Sequence, residues 1–189
     1  MTRQEVVKAA RKLFGTPGYA QITVEKIARE ARVSPATVYA RCGGKEGLLR
    51  TLMEMWTTSP AVGQIITDSA AAPTGRTKLE VLAESYVRHA AEAGDIMRIL
   101  ERAAPVFPAA QEFLDIADRR HIEALETIVK GIADNGGLAE GLSVQDASKI
   151  IFFHFRNPQL VLAAETFGWG VDRASRWLVD QVSAAILKG

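Results

Sequence analysis

The chain has 189 residues, of which 48% are hydrophobic, and its formal net charge is +1. This length allows one large domain or two small ones, and folding buries roughly 70% of the unfolded surface without a disulfide or a metal. The single cysteine, Cys42, excludes an internal disulfide and fits a reducing compartment. The charged amphipathic start is unlike a signal peptide, and no apolar run reaches membrane-spanning length. We therefore expect a cytoplasmic protein without a membrane partner.

The charges are unevenly distributed along the chain. Residues 1–56 hold ten Lys and Arg against five Glu, a net of +5, which leaves −4 for the remainder. A basic end on a mildly acidic body favours attraction of that end to phosphate. Solvated surface charge alone would also produce such a bias, so the charge distribution supports nucleic-acid binding only together with a motif.

The first predicted helix spans about residues 3–14. Its apolar positions Val6, Ala10, Leu13 and Phe14 form one stripe, and Gly15, Pro17 and Gly18 end it. A second helix follows Thr23, its predicted N-cap, and carries Val24, Ile27, Ala28 and Ala31 at the spacing of one helical face. Both helices are expected to have a supporting role.

A third, short helix is predicted from Ser34. Ser34 is a favourable N-cap, Pro35 suits the first helical position, and Gly43 and Gly44 end the helix after about two turns. Val38 is its clearest core residue. Ala36, Thr37, Tyr39, Ala40 and Arg41 are left to face outward, and such small, hydroxyl and cationic side chains suit a DNA groove.

The stretch TVEKIAREARVSPATVYA, followed by KEGLL, resembles the DNA-binding domain of the TetR-type transcriptional regulators. The chain departs from the family pattern at three positions. Arg32 stands where a turn glycine is common, Ala40 where an aromatic residue or histidine is frequent, and Cys42 where phenylalanine is usual. A left-handed conformation at Arg32 would cost about 1 kcal/mol. Cys42 is expected to be a small core residue, with a redox-sensing thiol as the alternative.

The resemblance implies an all-α fold of about nine helices. A helix-turn-helix DNA-binding domain at 1–57 would be followed by a helical effector-binding and dimerisation domain at 58–189. The implied function is a ligand-responsive regulator, a repressor that binds double-stranded DNA at a palindromic operator as a homodimer and is released by a small, mainly apolar effector. Effector binding is expected to move the helix at 45–56 and so change the separation of the two recognition helices.

The DNA-contacting residues are predicted from the family pattern together with side-chain chemistry. Thr37 is expected at base edges, Tyr39 and Lys45 at phosphates, and Arg41 as a further contact. Lys45 begins the fourth helix, where free amides and the positive dipole end favour phosphate. Thr23 is expected at phosphate by resemblance. The full set is Thr23, Ser34, Ala36, Thr37, Tyr39, Arg41 and Lys45. For Tyr39 the alternative is simple packing at the rim of the core.

Residues 57–78 are rich in Thr, Ser, Ala, Gly and Pro, and we interpret them as a surface connection between the domains. Beyond them about five helices are predicted, with stripes at 79–87 and 96–103 and longer helices at 108–135, 143–167 and 171–187. Pro158 should kink or break the helix near Phe155.

A surplus of apolar residues with scattered polar groups predicts an effector pocket in the helices between 76 and 167, because such a mixture is the usual lining of a ligand pocket. Its predicted members are Tyr86, His89, Arg102, His121, Phe152, His154 and Arg156. For each polar residue taken alone, a solvated or locally hydrogen-bonded side chain is the alternative.

The last two helices carry more apolar surface than a monomer of this size needs to bury, which predicts a two-fold four-helix bundle between two copies. The predicted interface residues are Phe155, Trp169, Trp177, Leu178, Val182 and Ile186. The alternative is that these side chains fill the core of one chain.

Catalytic and metal-binding motifs are absent from the sequence. The histidines lack an H-E-x-x-H pattern, there is no cysteine pair, and no nucleophile elbow, phosphate-binding or dinucleotide-binding loop occurs. No catalytic residue, metal or cofactor is predicted, and the chain is not expected to be an enzyme. An all-helical enzyme with a site assembled by the fold, or a helix-turn-helix that binds protein, remains as the alternative.

Overall fold

The computed structural model describes residues 3–16 and 19–189, except the side chains of Asn157 and Pro158. These residues form helices and no strand, with one isolated antiparallel bridge between Leu138 and Leu187. The ten α-helices are α1 Arg3–Phe14, α2 Val24–Glu30, α3 Pro35–Cys42, α4 Gly44–Thr57, α5 Pro60–Ala71, α6 Gly75–Ala103, α7 Pro108–Asp134, α8 Val144–Phe155, α9 Asn157–Val161 and α10 Val171–Ile186. Short 3₁₀ turns cover Tyr19–Gln21 and Ala104–Val106, and a π-helical turn covers Leu162–Thr166. The all-α prediction is confirmed.

The helices of the N-terminal region begin and end as their local signals predict. The Thr23 side chain accepts a hydrogen bond from the Lys26 amide at 3.3 Å, and Ser34 accepts one from the Thr37 amide at 3.1 Å. Gly43 ends α3 in the left-handed conformation, with φ 67°. The helix α1 ends at Phe14, whereas Pro17 and Gly18, also predicted to end it, lie outside the described residues.

Two predictions of element boundaries are wrong. Residues 60–71 form α5 instead of a surface connection, because Ile65 and Ser69 give this segment a buried side. The stripes at 79–87 and 96–103 belong to one 29-residue helix, α6, because no proline stands between them and the helix continues through Gly94. The predicted 143–167 helix is divided at Arg156, where ψ reaches 144°. The break expected from Pro158 near Phe155 is thus confirmed.

The chain forms two compact units, each made of two segments. Unit 1 comprises Met1–Ser59 and Ala93–Asp118, and unit 2 comprises Pro60–Glu92 and Arg119–Gly189. The core of unit 1 joins the apolar faces of α1–α4 to buried residues between 96 and 117. The core of unit 2 is built from residues of α5–α8 and α10. The predicted boundary between a DNA-binding domain at 1–57 and an effector-binding domain at 58–189 stays a proposal. Unit 1 includes residues 93–118 as well as the N-terminal segment.

Candidate nucleic-acid interface and effector region

The helix α3 has one buried apolar side and one exposed, more polar side. Val38 is completely buried and Cys42 is 5% exposed, so these two side chains fix the inner face of the helix. Ser34, Ala36, Tyr39, Ala40 and Arg41 are exposed, and Thr37 is half-buried with its hydroxyl 2.9 Å from that of Ser34. An eight-residue helix held at one side and capped at both ends offers a rigid outer face that fits the width of a major groove.

The turn between α2 and α3 has the strained residue that the sequence predicts. Arg32 has φ 54°, the only positive φ at a non-glycine among the described residues. The turn closes by a hydrogen bond from the Val33 amide to the Ala28 carbonyl at 2.9 Å. The packing of α2 against α3 therefore holds a conformation that costs an arginine about 1 kcal/mol.

Tyr39 lies over the turn that joins α3 to α4. Its ring covers the α-carbon of Gly44, where an added Cβ would be 2.8 Å from Cε1. Gly44 itself has φ 67° and is buried, while Tyr39 as a whole remains 59% exposed. One edge of the ring therefore packs, and the rest of the side chain is available to a ligand. The packing that the sequence allowed as the alternative for Tyr39 is thus present in part. The contact of Tyr39 with phosphate stays a prediction.

Lys45 lies in the first turn of α4, as predicted, and is held from behind by Tyr19. Its ammonium donates to the Tyr19 carbonyl at 2.9 Å and lies 3.9 Å from the centre of the Tyr19 ring. Partial burial lowers the pKa of Lys45 from its ordinary value. An ammonium has three donors, so one hydrogen bond to Tyr19 leaves capacity for a phosphate oxygen.

The segment 93–118 packs against the N-terminal helices of unit 1 through polar and aromatic contacts. Arg11 donates twice to the Asp95 carboxylate, at 2.7 and 2.5 Å, and this pair lowers the pKa of Asp95. The remaining contacts are Arg102 to the Gly15 carbonyl at 3.2 Å, the Tyr19 and Phe107 rings at 6.2 Å, and Arg50 over Phe113 at 5.3 Å. The sequence analysis missed these contacts, because they join residues up to 87 positions apart.

Cys42 is a core residue, as expected. Its side chain is buried between the apolar faces of the small helices, and burial raises the pKa of the thiol. A raised thiol pKa disfavours the reactive thiolate. The redox-sensing alternative therefore loses support.

Four of the predicted effector residues come together in unit 2. The Tyr86 hydroxyl and His121 Nε2 are hydrogen-bonded, and their rings meet edge to face at 5.2 Å. Phe152 contacts the His121 ring at 5.1 Å, and Arg156 lies over Phe152 at 5.1 Å. Burial, the nearby Arg156 and the His89 ring lower the pKa of His121 to about 4, so the His121 ring is neutral at pH 7.

The other predicted effector residues are placed elsewhere. Arg102 belongs to unit 1, where it is exposed and bonds to Gly15, so its assignment to this pocket is corrected. His154 bonds through Nδ1 to the carbonyl of Ile150 at 2.8 Å, which is the local alternative considered for it. His89 is buried and lines a small separate pocket of about 150 Å³ with Ser85, Arg88 and Glu92.

The predicted dimer residues divide into two groups. Phe155, Leu178, Val182 and Ile186 are buried in the core of unit 2, so the prediction that they form an interface is wrong. An apolar helix face in the sequence does not reveal whether the same chain or a second copy covers it. Trp169 and Trp177 remain at the surface in an aromatic row with Phe167, with ring centres 5.4 and 5.5 Å apart and Trp177 39% exposed. Further exposed apolar residues of unit 2 are Phe153, Leu162 and Val171.

The described residues contain neither a group of metal ligands nor a membrane-spanning helix. Within 3–16 and 19–189, no three residues of the types His, Cys, Asp and Glu are grouped to hold a metal ion. In the same residues, no helix combines the length and hydropathy that crossing a membrane requires.

Comparisons with known proteins agree on the N-terminal region. Residues 6–52 match the family model described as bacterial regulatory proteins, tetR family. A curated relative, the HTH-type transcriptional regulator HbdR of Aromatoleum sp. (strain CIB), is 43% identical over 47 residues, which are 25% of this chain and 20% of the relative. The matched part is thus about a fifth of that protein.

Solved structures extend the likeness of fold over almost the whole chain. SmeT, described as the repressor of the Stenotrophomonas maltophilia multidrug efflux pump SmeDEF, has a TM-score of 0.75 at 19% identity, covering 100% of this chain and 91% of its own. A SmeT–triclosan complex gives 0.80 at 20% identity, with 98% and 91% covered. FadR from Bacillus subtilis in complex with stearoyl-CoA gives 0.81 at 18% identity, with 98% and 100% covered. The matched family consists of transcriptional regulators and not of enzymes, as the sequence predicted for this chain.

Proposed function

We propose that this chain is a member of the tetR family of bacterial regulatory proteins and acts as a cytoplasmic, ligand-responsive repressor that binds a palindromic operator as a homodimer. The observation that carries the proposal is α3, a helix anchored by Val38 and capped by Ser34 and Gly43 that turns a polar face outward from a basic domain. Thr37 would contact base edges. Tyr39, Lys45 and Thr23 would contact phosphates, with Ser34, Ala36 and Arg41 as neighbours.

Selection of duplexes from a random pool, followed by gel-shift titration, tests DNA recognition. We expect a palindrome with half-site centres about one helical turn apart or a multiple of it, roughly 34 Å per turn. Tyr39→Phe keeps the ring over Gly44 and removes only the hydroxyl, so it should weaken binding if the hydroxyl contacts phosphate. Recovery of no enriched sequence would contradict the proposal.

The salt dependence of binding separates the role of Lys45 from that of a base-reading residue. Lys45→Ala should weaken binding to all sequences and reduce the slope of log affinity against log salt by about one, as expected for one lost phosphate contact. Lys149→Ala is the matched control, because Lys149 pairs with Asp146 in unit 2. A loss confined to one base position would contradict the phosphate role.

The aromatic row Phe167, Trp169 and Trp177 supports the homodimer. Exposed aromatic side chains in one continuous row are more often interfaces than free surface. Sedimentation at micromolar concentration should give a dimer, and Trp177→Glu should shift it towards monomer. Tyr39→Glu, a change at an exposed aromatic residue of unit 1, should leave the dimer intact. Only monomer in the wild type would end the dimer proposal.

The polar cluster in unit 2 supports a small-molecule effector. Tyr86 and His121 form a hydrogen-bonded pair among aromatic rings, which is the mixture of apolar wall and few polar groups found in ligand pockets. The likeness of fold to structures described as holding triclosan and stearoyl-CoA adds support. A ligand would release DNA only by favouring a conformation with lower DNA affinity, and a coupling of about 1–3 kcal/mol is typical.

A further inference from the structure

Three helices bring their polar and aromatic side chains to one place in unit 2. Tyr86 comes from α6, His121 from α7, and Phe152 and Phe155 from α8. Tyr86 and Phe155 meet edge to face at 5.9 Å, and His121 and Phe152 do so at 5.1 Å. We call Tyr86, His121, Phe152, Phe155 and Arg156 the aromatic cluster. Its centre is polar and its walls are rings.

The polar and aromatic side chains of the aromatic cluster keep accessible surface. Tyr86, His121, Phe152 and Arg156 are each half-buried, whereas Phe155 is buried. Leu82, Leu125 and Ile151, which stand on the same helices α6, α7 and α8, have no accessible surface. A ligand that approaches this part of the core can therefore meet hydrogen-bonding groups and aromatic faces.

The Arg156 guanidinium brings a positive charge to the aromatic cluster. The guanidinium of Arg156 lies 5.1 Å from the Phe152 ring centre. The Arg156 side chain on the C-terminal side of α8 and the His89 ring on α6 both disfavour the protonated form of His121. An anion placed here would meet one full positive charge and the partly desolvated donors of two neutral side chains, Tyr86 and His121.

The hydrogen bond between Tyr86 and His121 can present a donor to such an anion. When Nε2 of the neutral imidazole carries the proton, it donates to the Tyr86 oxygen, and the Tyr86 hydroxyl is then free to donate to an incoming acceptor. Protonation of His121 enforces the same direction, because both ring nitrogens then donate. An anion would favour this arrangement, since the hydroxyl can then donate to it while the Arg156 guanidinium attracts its charge.

We infer that the effector is an organic anion whose apolar body lies against Phe152 and Phe155 and whose acidic group is bound by Tyr86, His121 and Arg156. This inference rests on the proposed effector role of unit 2 and specifies its chemistry. Neutral and cationic apolar molecules of the same size are excluded as preferred ligands.

Two fluorescent dyes with the same ring system provide the test. 1-Anilinonaphthalene-8-sulfonate is anionic, and N-phenyl-1-naphthylamine is its neutral counterpart. Wild-type protein should bind the sulfonate roughly tenfold tighter than the neutral dye, as expected for a charge-assisted hydrogen bond. Arg156→Gln should remove this preference without weakening the neutral dye, and Arg156→Lys should restore part of it. Equal affinities in the wild type would overturn the inference.

Matched variants locate the bound dye. Arg119→Gln changes an exposed arginine of α7 and should have no effect. Arg173 stacks on Trp169 at 4.7 Å, so a loss with Arg173→Gln instead of Arg156→Gln would place the sulfonate on the exposed aromatic row and overturn the inference. Equal binding of both dyes, weakened by Phe152→Ala, would leave the proposed effector site standing without its anion preference. Binding that no variant of the aromatic cluster alters would count against both.

The pH dependence gives a readout that simple packing would not produce. The pKa of His121 is about 4 in the free protein, and a bound anion must raise it. The sulfonate stays ionised throughout, so its affinity should increase as pH falls from 7 to 5, whereas the neutral dye should show no such increase. His121→Gln should flatten the profile. If the affinity of the wild type for the sulfonate did not change with pH, the anion would not bind beside His121.

Discussion

The two compact units differ in whether they bury polar side chains. Among the described residues of unit 1, the buried side chains are apolar apart from Tyr19 and Cys42, and no charged side chain is buried. The buried serine, lysine and histidine side chains all belong to unit 2, and they are Ser69, Lys78, Ser85, His89 and Ser148. Burial of such groups is costly without hydrogen bonds. Several of these bonds are present, such as Ser69 to the Lys78 carbonyl at 2.7 Å.

This difference fits the two roles proposed for the units, a surface that meets a large polyanion and an interior that meets a small molecule. Unit 1 needs a rigid apolar base so that its outer face keeps one geometry. Unit 2 keeps polar groups inside, where they distinguish ligands by charge and hydrogen bonding because the environment is partly dry. Changes that probe each unit in turn should therefore have different consequences.

The largest expected effect comes from a pair of helical glycines. A Cβ on Gly47 would lie 1.9 Å from the Cys42 carbonyl oxygen, so Gly47→Ala must displace backbone at the α3–α4 junction. We expect it to lower the free energy of unfolding by about 3 kcal/mol or more and to abolish DNA binding. Gly63→Ala in α5 meets no atom within 4 Å and should stabilise by about 0.5–1 kcal/mol. Urea unfolding measures both, and a tolerated Gly47→Ala would refute the tight junction.

A second, smaller effect is the pH dependence of stability that His121 introduces. Its pKa is lowered from 6.5 to about 4 in the folded chain, so the unfolded state binds more protons between these values. The free energy of unfolding should therefore fall as pH decreases from 7 to 4, by about 3 kcal/mol from this residue. Urea unfolding at several pH values should show a weaker decrease in His121→Gln. The same decrease in both proteins would show that His121 is not desolvated.

The smallest effect compares two serine caps of the same geometry. Ser34 accepts from the Thr37 amide at 3.1 Å in unit 1, and Ser143 accepts from the Asp146 amide at 3.0 Å in unit 2. Replacing either serine by alanine should cost about 1 kcal/mol of stability. Only Ser34→Ala should also weaken DNA binding, because it loosens the start of α3 and releases the Thr37 hydroxyl. Equal DNA affinities of the two variants would place Ser34 and Thr37 outside the interface.

Local signals explain why so much of unit 1 could be predicted. The caps of Thr23 and Ser34, the left-handed Gly43 and Arg32, and the buried Val38 depend on residues within a few positions. The support of Lys45 by Tyr19 was missed, since it joins residues 26 positions apart and leaves no periodic trace. An aromatic residue in the turn between the first two helices gives at most a weak signal for contact with a lysine so much later in the chain.

Unit 2 could be predicted only in part, because its assignments depend on which helix covers which face. The apolar period of α10 correctly gave one buried side, but Leu178, Val182 and Ile186 pack within their own chain. Of the polar residues scattered among the apolar ones, Tyr86 and His121 meet although 35 positions separate them, whereas His154 bonds within its own helix. Arg102 serves unit 1, a division that composition does not reveal.

The central claim is that a small molecule in unit 2 controls DNA binding by unit 1, and linkage tests it most directly. An organic acid that displaces the anionic dye from the wild type but not from Arg156→Gln should be titrated by calorimetry with and without the selected palindrome. The account predicts weaker binding of the acid to the DNA complex, by the same factor by which the acid weakens DNA binding. Equal affinities of the acid in the two titrations would contradict the claim.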